Sequence, residues 1–433
     1  MSATNAKLTN GDHNPPKLKF VVVGGSLGGL AAGIALKEQG HDIIILERSP
    51  TPLLHSQGAG IVAGGDSLAF FNRYNRCDQP IGVPSSRRQY LSKDGTVVHT
   101  VDTPQSMSSW DLTYHLLRAN YDGHASAYCT PPPPLPHHGS AVHLHNHTVT
   151  SINPLTTGLE VHYHSTTDPS SIGSLTCDRL IAADGPSSTI RTIFSPSTQR
   201  TYAGYCALRG TVPESAVTPT THATFANRFT FHHGPGIQIL AYLIPGLNGT
   251  VTPGERLINF VYYTNFPASS PSLAKIMTDR HGHRHNITIP PGLVCPIAWE
   301  EQKQIAIANL PPQFAEIVCA AEKPFVQAVT DVISPDHEFL DGRVVLVGDA
   351  LAGFRPHTVA STSQAALDAM LYADYMAGNI TRDEWKRETT GYARHVQQLG
   401  IKMGVRSQTE RLSLEEYIQD RDDMSVDRRD MQY

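Results

Sequence analysis

The sequence predicts an α/β protein in which a Rossmann-like unit is interleaved with a β-sheet domain and followed by a C-terminal helical region. Three observations carry that expectation: a strand, glycine turn and helix within residues 17–47, short β-rich runs broken by Pro and Gly over residues 200–265, and helical patterning after residue 362.

The first unit reads as a strand over residues 18–23, glycines at 24, 25, 28 and 29, a helix over 30–39 and a second strand over 41–46. A hairpin follows, with runs 88–93 and 96–101 turning at Asp94-Gly95. Ser109 then caps a helix carrying Leu112, Leu116 and Leu117 that stops by Gly123. Residues 130–139, with four consecutive prolines and two histidines, read as an extended surface loop. Runs at 228–232, 238–244 and 257–263 predict antiparallel strands, which puts the sheet of a substrate domain in this middle part of the chain. A buried strand at 343–347 and helices at 363–377 and 382–403 return the chain to the first unit.

The 433 residues carry a formal net charge of −5, so no basic field is available for nucleic acid or anionic lipid. Six cysteines without a C-x-x-C pair, and apolar runs far shorter than a membrane span, suggest a reducing, cytoplasmic setting. Residues 1–17 are polar, end in Pro15 and Pro16, and read as a disordered leader.

Three constellations carry chemistry. Gly24-Gly-Ser26-Leu27-Gly28-Gly29 follows G-x-G-x-x-G except that Ser26 holds the second glycine position, and Glu47 stands 23 residues after Gly24. A tight turn at a helix N-terminus favours a pyrophosphate, and an acid at that distance can accept ribose hydroxyls. A second strand ends in Asp184-Gly185 and runs on to Arg191, a pattern that alone is an ordinary turn. A third ends in Gly348-Asp349, with Pro356 in the loop before a helix starting near Thr362. Asp349 could bond a polyol, and that helix N-terminus could stabilise negative charge.

In this order and spacing, the three motifs resemble the FAD-dependent aromatic hydroxylases of the para-hydroxybenzoate hydroxylase fold, closest to the 2,6-dihydroxypyridine hydroxylase group. The nearer resemblance rests on residues 22–30, Thr201-Tyr202-Ala203-Gly204-Tyr205, Arg209-Gly210, residues 244–246 and Arg355-Pro356-His357. It implies FAD as a held cofactor, NADPH or NADH as co-substrate, O2, and a flavin hydroperoxide that hydroxylates an electron-rich phenolic or N-heteroaromatic ring. It also implies an FAD-binding domain over 18–80, 105–195 and 325–433 and a substrate domain over 81–104 and 196–324, and it is compatible with a homodimer.

Carried over by position, Gly24, Ser26, Leu27, Gly28, Gly29, Glu47 and Arg48 hold the ADP part, and Arg118 reaches the flavin chain. Asp184 and Asp349 supply the remaining nucleotide and ribityl contacts, and Pro356 lies beside the flavin ring. Tyr202 and His357 are the candidates for removing the substrate hydroxyl proton. This sequence departs from many relatives in having Ala352 in place of His, and Thr358 and Ser361 in place of Gly.

No metal is expected. The alternating histidines at 143, 145 and 147 and at 281, 283 and 285 share a strand face but lack accompanying acids or cysteines. The rival functions are an FAD-dependent epoxidase or rearrangement enzyme acting on a natural-product scaffold, and a non-catalytic FAD-binding protein. A flavin halogenase of the tryptophan type would need a W-x-W-x-I-P segment, and Trp299 stands alone.

Overall fold

The structure is a computed structural model that describes residues 16–51, 60–410 and 412–422, so the expected leader lies outside the described residues through position 15. Within these segments, strands and helices are numbered in chain order, β1 to β19 and α1 to α11.

One sheet has the order β17 (Glu338–Phe339), β18 (Val344–Leu346), β10 (Arg179–Ala182), β1 (Lys19–Val23), β2 (Asp42–Leu46) and β6 (Ala141–Leu144). All neighbours are parallel except the β17–β18 pair. Parallel strands buried on both faces require continuous apolar runs, and Phe20 to Val23, Leu180 to Ala182 and Val344 to Leu346 provide them at 7% exposure or less. On this sheet lies α1 (Leu27–Lys37), packed between α3 (Trp110–Asp122) and α9 (Ser361–Met376).

The larger sheet runs β15 (Thr288–Ile289), β16 (Phe325–Ile333), β11 (Thr201–Pro213), β14 (Leu257–Asn265), β13 (Ile237–Ile244), β12 (Arg228–Gly234), β4 (Val83–Leu91), β5 (Val97–Ser109) and β3 (Gly60–Ala63), with β19 (Ala352–Gly353) attached to β16. The sheet thus reaches into the segment 18–80, through β3, and joins the two parts of the molecule. The expected hairpin forms around Asp94-Gly95, where Gly95 has φ +89° and the Asp94 carboxylate accepts the Thr96 N–H at 2.9 Å. β5 then runs on to Ser109, whose hydroxyl accepts the Leu112 N–H at 3.1 Å and starts α3. A small sheet of β7 (His147–Pro154), β8 (Leu159–Ser165) and β9 (Ile172–Cys177) completes the strands.

Alternation divides the large sheet into two faces. Cys206, Leu208, Ile258, Phe260 and Tyr262 pack with Phe314 and Ile317 of α8 (Pro312–Ala320) and Trp299 of α7 (Pro296–Asn309). Tyr205, Ala207, Leu240, Tyr242, Val261 and Tyr263 form the other face, turned toward the parallel sheet. The C-terminal helices are α10 (Arg382–Gln408), which extends past the expected end at 403, and α11 (Leu414–Asp422). Thr381 and Glu384 form a reciprocal cap at the start of α10.

The ends of β11 and β14 are tied by a buried ion pair. Arg256 donates to both oxygens of Glu214, each at 2.8 Å, Gly254 N–H adds a bond at 2.6 Å, and His222 contacts the carboxylate at 2.8 Å. Burial pushes the Glu214 carboxyl up, but Arg256, His222 and the backbone donors outweigh it and hold the value at about 2. Because the folded value lies below the unfolded one, this stabilisation is complete above the ordinary glutamate value of about 4.3 and lost as pH falls toward the folded value. Glu214→Gln should therefore cost about 3–5 kcal/mol at neutral pH. Urea unfolding should show the gap between wild type and variant narrowing below about pH 4.

Candidate functional site

The register of the parallel sheet brings three turns to one level. Val23 pairs with Ala182 and Ala182 with Leu346, and beyond them the Ala183 N–H donates to the Val23 carbonyl at 2.8 Å and the Val347 N–H to the Ala182 carbonyl at 3.0 Å. The turns at 24–28, 183–186 and 347–349 thereby flank one cleft of about 340 Å³, whose far wall is the β11–β13–β14–β16 face of the large sheet. A crevice at the carboxyl ends of parallel strands is the expected ligand position in such sheets.

The glycine turn separates packing from ligand space. A Cβ on Gly24, at φ +103°, would lie 2.3 Å from the Ala183 carbonyl oxygen, and one on Gly29 would lie 1.9 Å from that of Gly24. At Gly28 the nearest atom would be Ala365 Cβ at 3.6 Å, so the protein itself leaves room for a side chain there. Gly28 lines the cleft together with Ser26 and Leu27, at the N-terminus of α1. Free N–H groups and the helix dipole there suit an anion. Glu47 is buried and accepts the N–H groups of Gly25 and Ser49, each at 2.7 Å. A carboxylate offers about four lone-pair sites, which leaves capacity for ribose hydroxyls.

Beside Glu47 stand His143 and His145, with ring centroids 4.3 Å apart. Burial, Arg118 and His145 push His143 down to about 3, keeping it neutral. Arg48 points to solvent. Arg118 is buried in α3, where it bonds the Tyr114 hydroxyl at 2.8 Å and Asp122 at 2.9 Å, and Trp110 is the α3 residue that reaches the cleft.

The two other acids take different parts. Asp184 accepts the Ser188 hydroxyl at 2.5 Å and the Thr189 and Ile190 N–H groups at 2.7 and 3.2 Å. Its carboxylate thus anchors the start of α4 (Thr189–Phe194), while Ala183, Gly185 and Pro186 line the cleft. Three bonds to the α4 start occupy most of this carboxylate, which the sequence pattern assigns to the nucleotide. From α4, Arg191 donates to the Ala350 carbonyl at 2.7 Å and the Pro186 carbonyl at 2.6 Å, strapping two of the turns together. Asp349 does line the cleft, and its Oδ1 is buried without a partner. Burial raises its carboxyl to about 6, opposed by the Ser361 hydroxyl and the Arg200 charge. The turn beneath it is pinned from α9, where Asp368 accepts the Gly348 N–H at 2.8 Å and Gln364 donates to the Gly348 carbonyl at 2.6 Å.

At the substrate end, Pro356 lines the cleft but His357 lies behind it. The His357 ring is held between the Tyr205 hydroxyl and Gln238 Oε1, both at 2.9 Å. Gln238 in turn donates to the Tyr417 hydroxyl at 2.6 Å, and His233 stacks on Tyr417. Tyr202 packs on the helix-covered side with Cys206 and donates to the Phe266 carbonyl at 2.8 Å. The expected proton role of Tyr202 therefore has no access to the cleft. Facing the cleft here are Tyr242, Tyr263, whose buried hydroxyl has no partner, and Arg209, whose guanidinium lies over Phe325 at 5.2 Å; of these the sequence marks Arg209, as part of the resemblance. Val359, a β-branched residue at φ +50°, lines the same cleft, a strained conformation of the kind concentrated at functional loops.

A family model described as FAD binding domain-like matches residues 202–331. The chain is 28% identical over 372 residues, 84% of each protein, to a 2,6-dihydroxypyridine 3-monooxygenase of Paenarthrobacter nicotinovorans. The solved 2,6-dihydroxypyridine-3-hydroxylase of Arthrobacter nicotinovorans superposes with a TM-score of 0.76 at 26% identity, covering 91% of this chain and 93% of the other. Klebsiella pneumoniae HpxO, solved with FAD and uric acid, shares the fold at 19% identity and a TM-score of 0.68 over 94% of this chain and 93% of its own. The site's own features fit FAD: a glycine cradle left open at Gly28, the buried acid Glu47 at the end of the next strand with lone pairs to spare, and an Asp349 oxygen buried without a partner.

Two substitutions test that fit. Gly28→Val should fail to retain FAD yet match the thermal stability of the FAD-stripped wild type, whereas Gly29→Val should fall below it, as differential scanning fluorimetry and bound-flavin absorbance will show. Asp349→Ala should weaken FAD binding by about 1.5–3 kcal/mol, roughly one to two decades in Kd.

Proposed function

We propose that this chain, which has the fold of the FAD-dependent aromatic hydroxylases, is a single-component monooxygenase that uses NAD(P)H and O2 to hydroxylate an electron-rich phenolic or N-heteroaromatic ring. The observation that carries the reading is a single cleft that joins the nucleotide turns to an apolar pocket bearing Arg209 and Tyr263. Bound FAD supplies the redox chemistry, accepting hydride from NAD(P)H and activating O2 for transfer of one oxygen atom.

The protein's share is binding, orientation and charge. Leu240, Val261 and Val329 provide flat apolar walls suited to a ring. Burial pushes the Tyr263 hydroxyl up, with Arg209 opposing it, so it remains protonated and able to donate. Burial likewise raises Tyr242 to about 12. A hydrogen-bond donor and a fixed cation next to a ring hydroxyl favour its ionised form, and an ionised hydroxyl enriches the ring for oxygen transfer. His357, bonded to Tyr205 and Gln238, acts as a positioning residue that fixes the loop carrying Pro356. The reading takes the substrate and O2 as partners. It places the protein in a reducing, cytoplasmic compartment, supported by six free cysteines and by the finding that no helix among the described residues is long and apolar enough to cross a membrane.

The direct assay is a screen of hydroxylated pyridines, phenols and indoles for accelerated NAD(P)H oxidation, with product mass read for a gain of one oxygen. Rearrangement without oxygen gain, or FAD binding without stimulated oxidation, would favour the rival readings. With a substrate in hand, Tyr263→Phe should keep flavin reduction but slow oxygen transfer by about 10- to 100-fold, the loss of one hydrogen bond to a charged group. NAD(P)H would then be consumed with release of H2O2. Tyr202→Phe should hydroxylate with wild-type coupling, and loss of coupling there would return the proton role to Tyr202.

A further inference from the structure

The Pro-rich loop at 130–139 does not hang free. Gly139 N–H donates to the Lys37 carbonyl at 3.0 Å at the C-terminal end of α1, and Arg76 donates to the Pro133 carbonyl at 2.9 Å. Five prolines, Pro131 to Pro134 and Pro136, lower the loop's conformational freedom, so the two histidines that follow reach a defined place at little entropic cost. That place is Glu38, the residue that ends α1.

His137 Nε2 lies 3.3 Å from Glu38 Oε2, and His138 Nε2 lies 2.9 Å from Glu38 Oε1. The three donor groups stand within 4.8 Å of one another. Bonds of about 2.1 Å from a tetrahedral Zn2+ put neighbouring ligand atoms roughly 3.4 Å apart, so these groups can close on one ion with small side-chain movements. The position is electrostatically apt, because the C-terminal end of a helix carries partial negative charge and the neighbouring Lys37 ammonium is turned away to the Asn120 and Tyr121 carbonyls at 2.5 and 2.8 Å. His138 is nearly buried and His137 is 59% exposed, which leaves the fourth coordination position to water.

We infer that Glu38, His137 and His138 form a binding site for a divalent transition-metal ion of the zinc type, which latches the Pro-rich loop onto the end of α1. The donor set, two imidazoles and one carboxylate, is that of borderline ions and not of Mg2+ or Ca2+. The Leu135 N–H approaches His138 Nδ1 at 3.4 Å, which leaves Nε2 turned toward Glu38. A zinc-type ion takes the lone pair of one nitrogen of a neutral imidazole while the ring proton stays on the other, so His138 binds by a tautomer change without net proton release.

The test is calorimetric titration of ZnCl2 into the chelator-stripped, FAD-loaded full chain. Wild type should show one binding event, and Glu38→Gln and His137→Ala should each lack it. His137 is exposed, so its replacement leaves the fold intact, and unchanged thermal stability and FAD content will confirm that. Hydrogen exchange within residues 130–139 should slow on Zn2+ addition in wild type alone. Identical isotherms in wild type and both variants, or a wild-type isotherm with no event above the background of other surface histidines, would overturn the assignment.

Discussion

The site depends on the alignment of three parallel strand ends. Because β1, β10 and β18 pair in register, the turns that follow them emerge side by side, and everything the cleft can hold is set by that level edge. Continuous apolar runs fix the register from both faces. Arg191 then locks the result, since one guanidinium bonds the carbonyls of Pro186 and Ala350 on two different turns. Buried at 2% exposure, it is held where a shift of either turn would leave its donors unpaired.

The large sheet supplies what the parallel sheet lacks. A Rossmann-like edge can grip a nucleotide, but it has no broad apolar wall for a second ligand. The antiparallel strands β11, β13 and β14 provide one, and their other face is sealed by α7 and α8 so that only one side is available. Between the two sheets runs the 355–361 loop, anchored by the Arg355–Asp331 ion pair at 2.6 Å and by the His357 bonds to Tyr205 and Gln238. Its strained Val359 is held in place by these contacts on either side. The cofactor's reactive ring and the substrate would thus meet at a junction made rigid by polar contacts.

Much of the nucleotide end was legible in the sequence because its signals are local. A glycine turn between strand and helix, Glu47 at the end of the next strand and Asp349 after a buried strand are each readable within a few residues. Asp184 shows the limit of such reading: an Asp-Gly after a strand can serve a ligand or cap the next helix, and only the fold shows the three bonds that Asp184 accepts from Ser188 and the α4 N–H groups. In the large sheet, alternation groups Tyr202 with Cys206 and Leu208, and Tyr205 with Arg209, but does not tell which group meets helices. That depends on α7 and α8, about a hundred residues later. Tyr263 was invisible as a site residue for the same reason, and the strapping role of Arg191 likewise, its Ala350 partner being distant in sequence. The histidine pair at 137 and 138 looked like loop composition until the fold placed Glu38 beside it.

The central claim is that this cleft transfers one atom of O2 to an aromatic ring held against Arg209 and Tyr263. The most direct measurement is a turnover under 18O2 with a substrate that stimulates NAD(P)H oxidation, followed by mass analysis of the product. The account predicts one 18O atom in each product molecule and none when the label is supplied as H2 18O. A product labelled from water, or one that gains no oxygen while all the consumed O2 appears as H2O2, would contradict it.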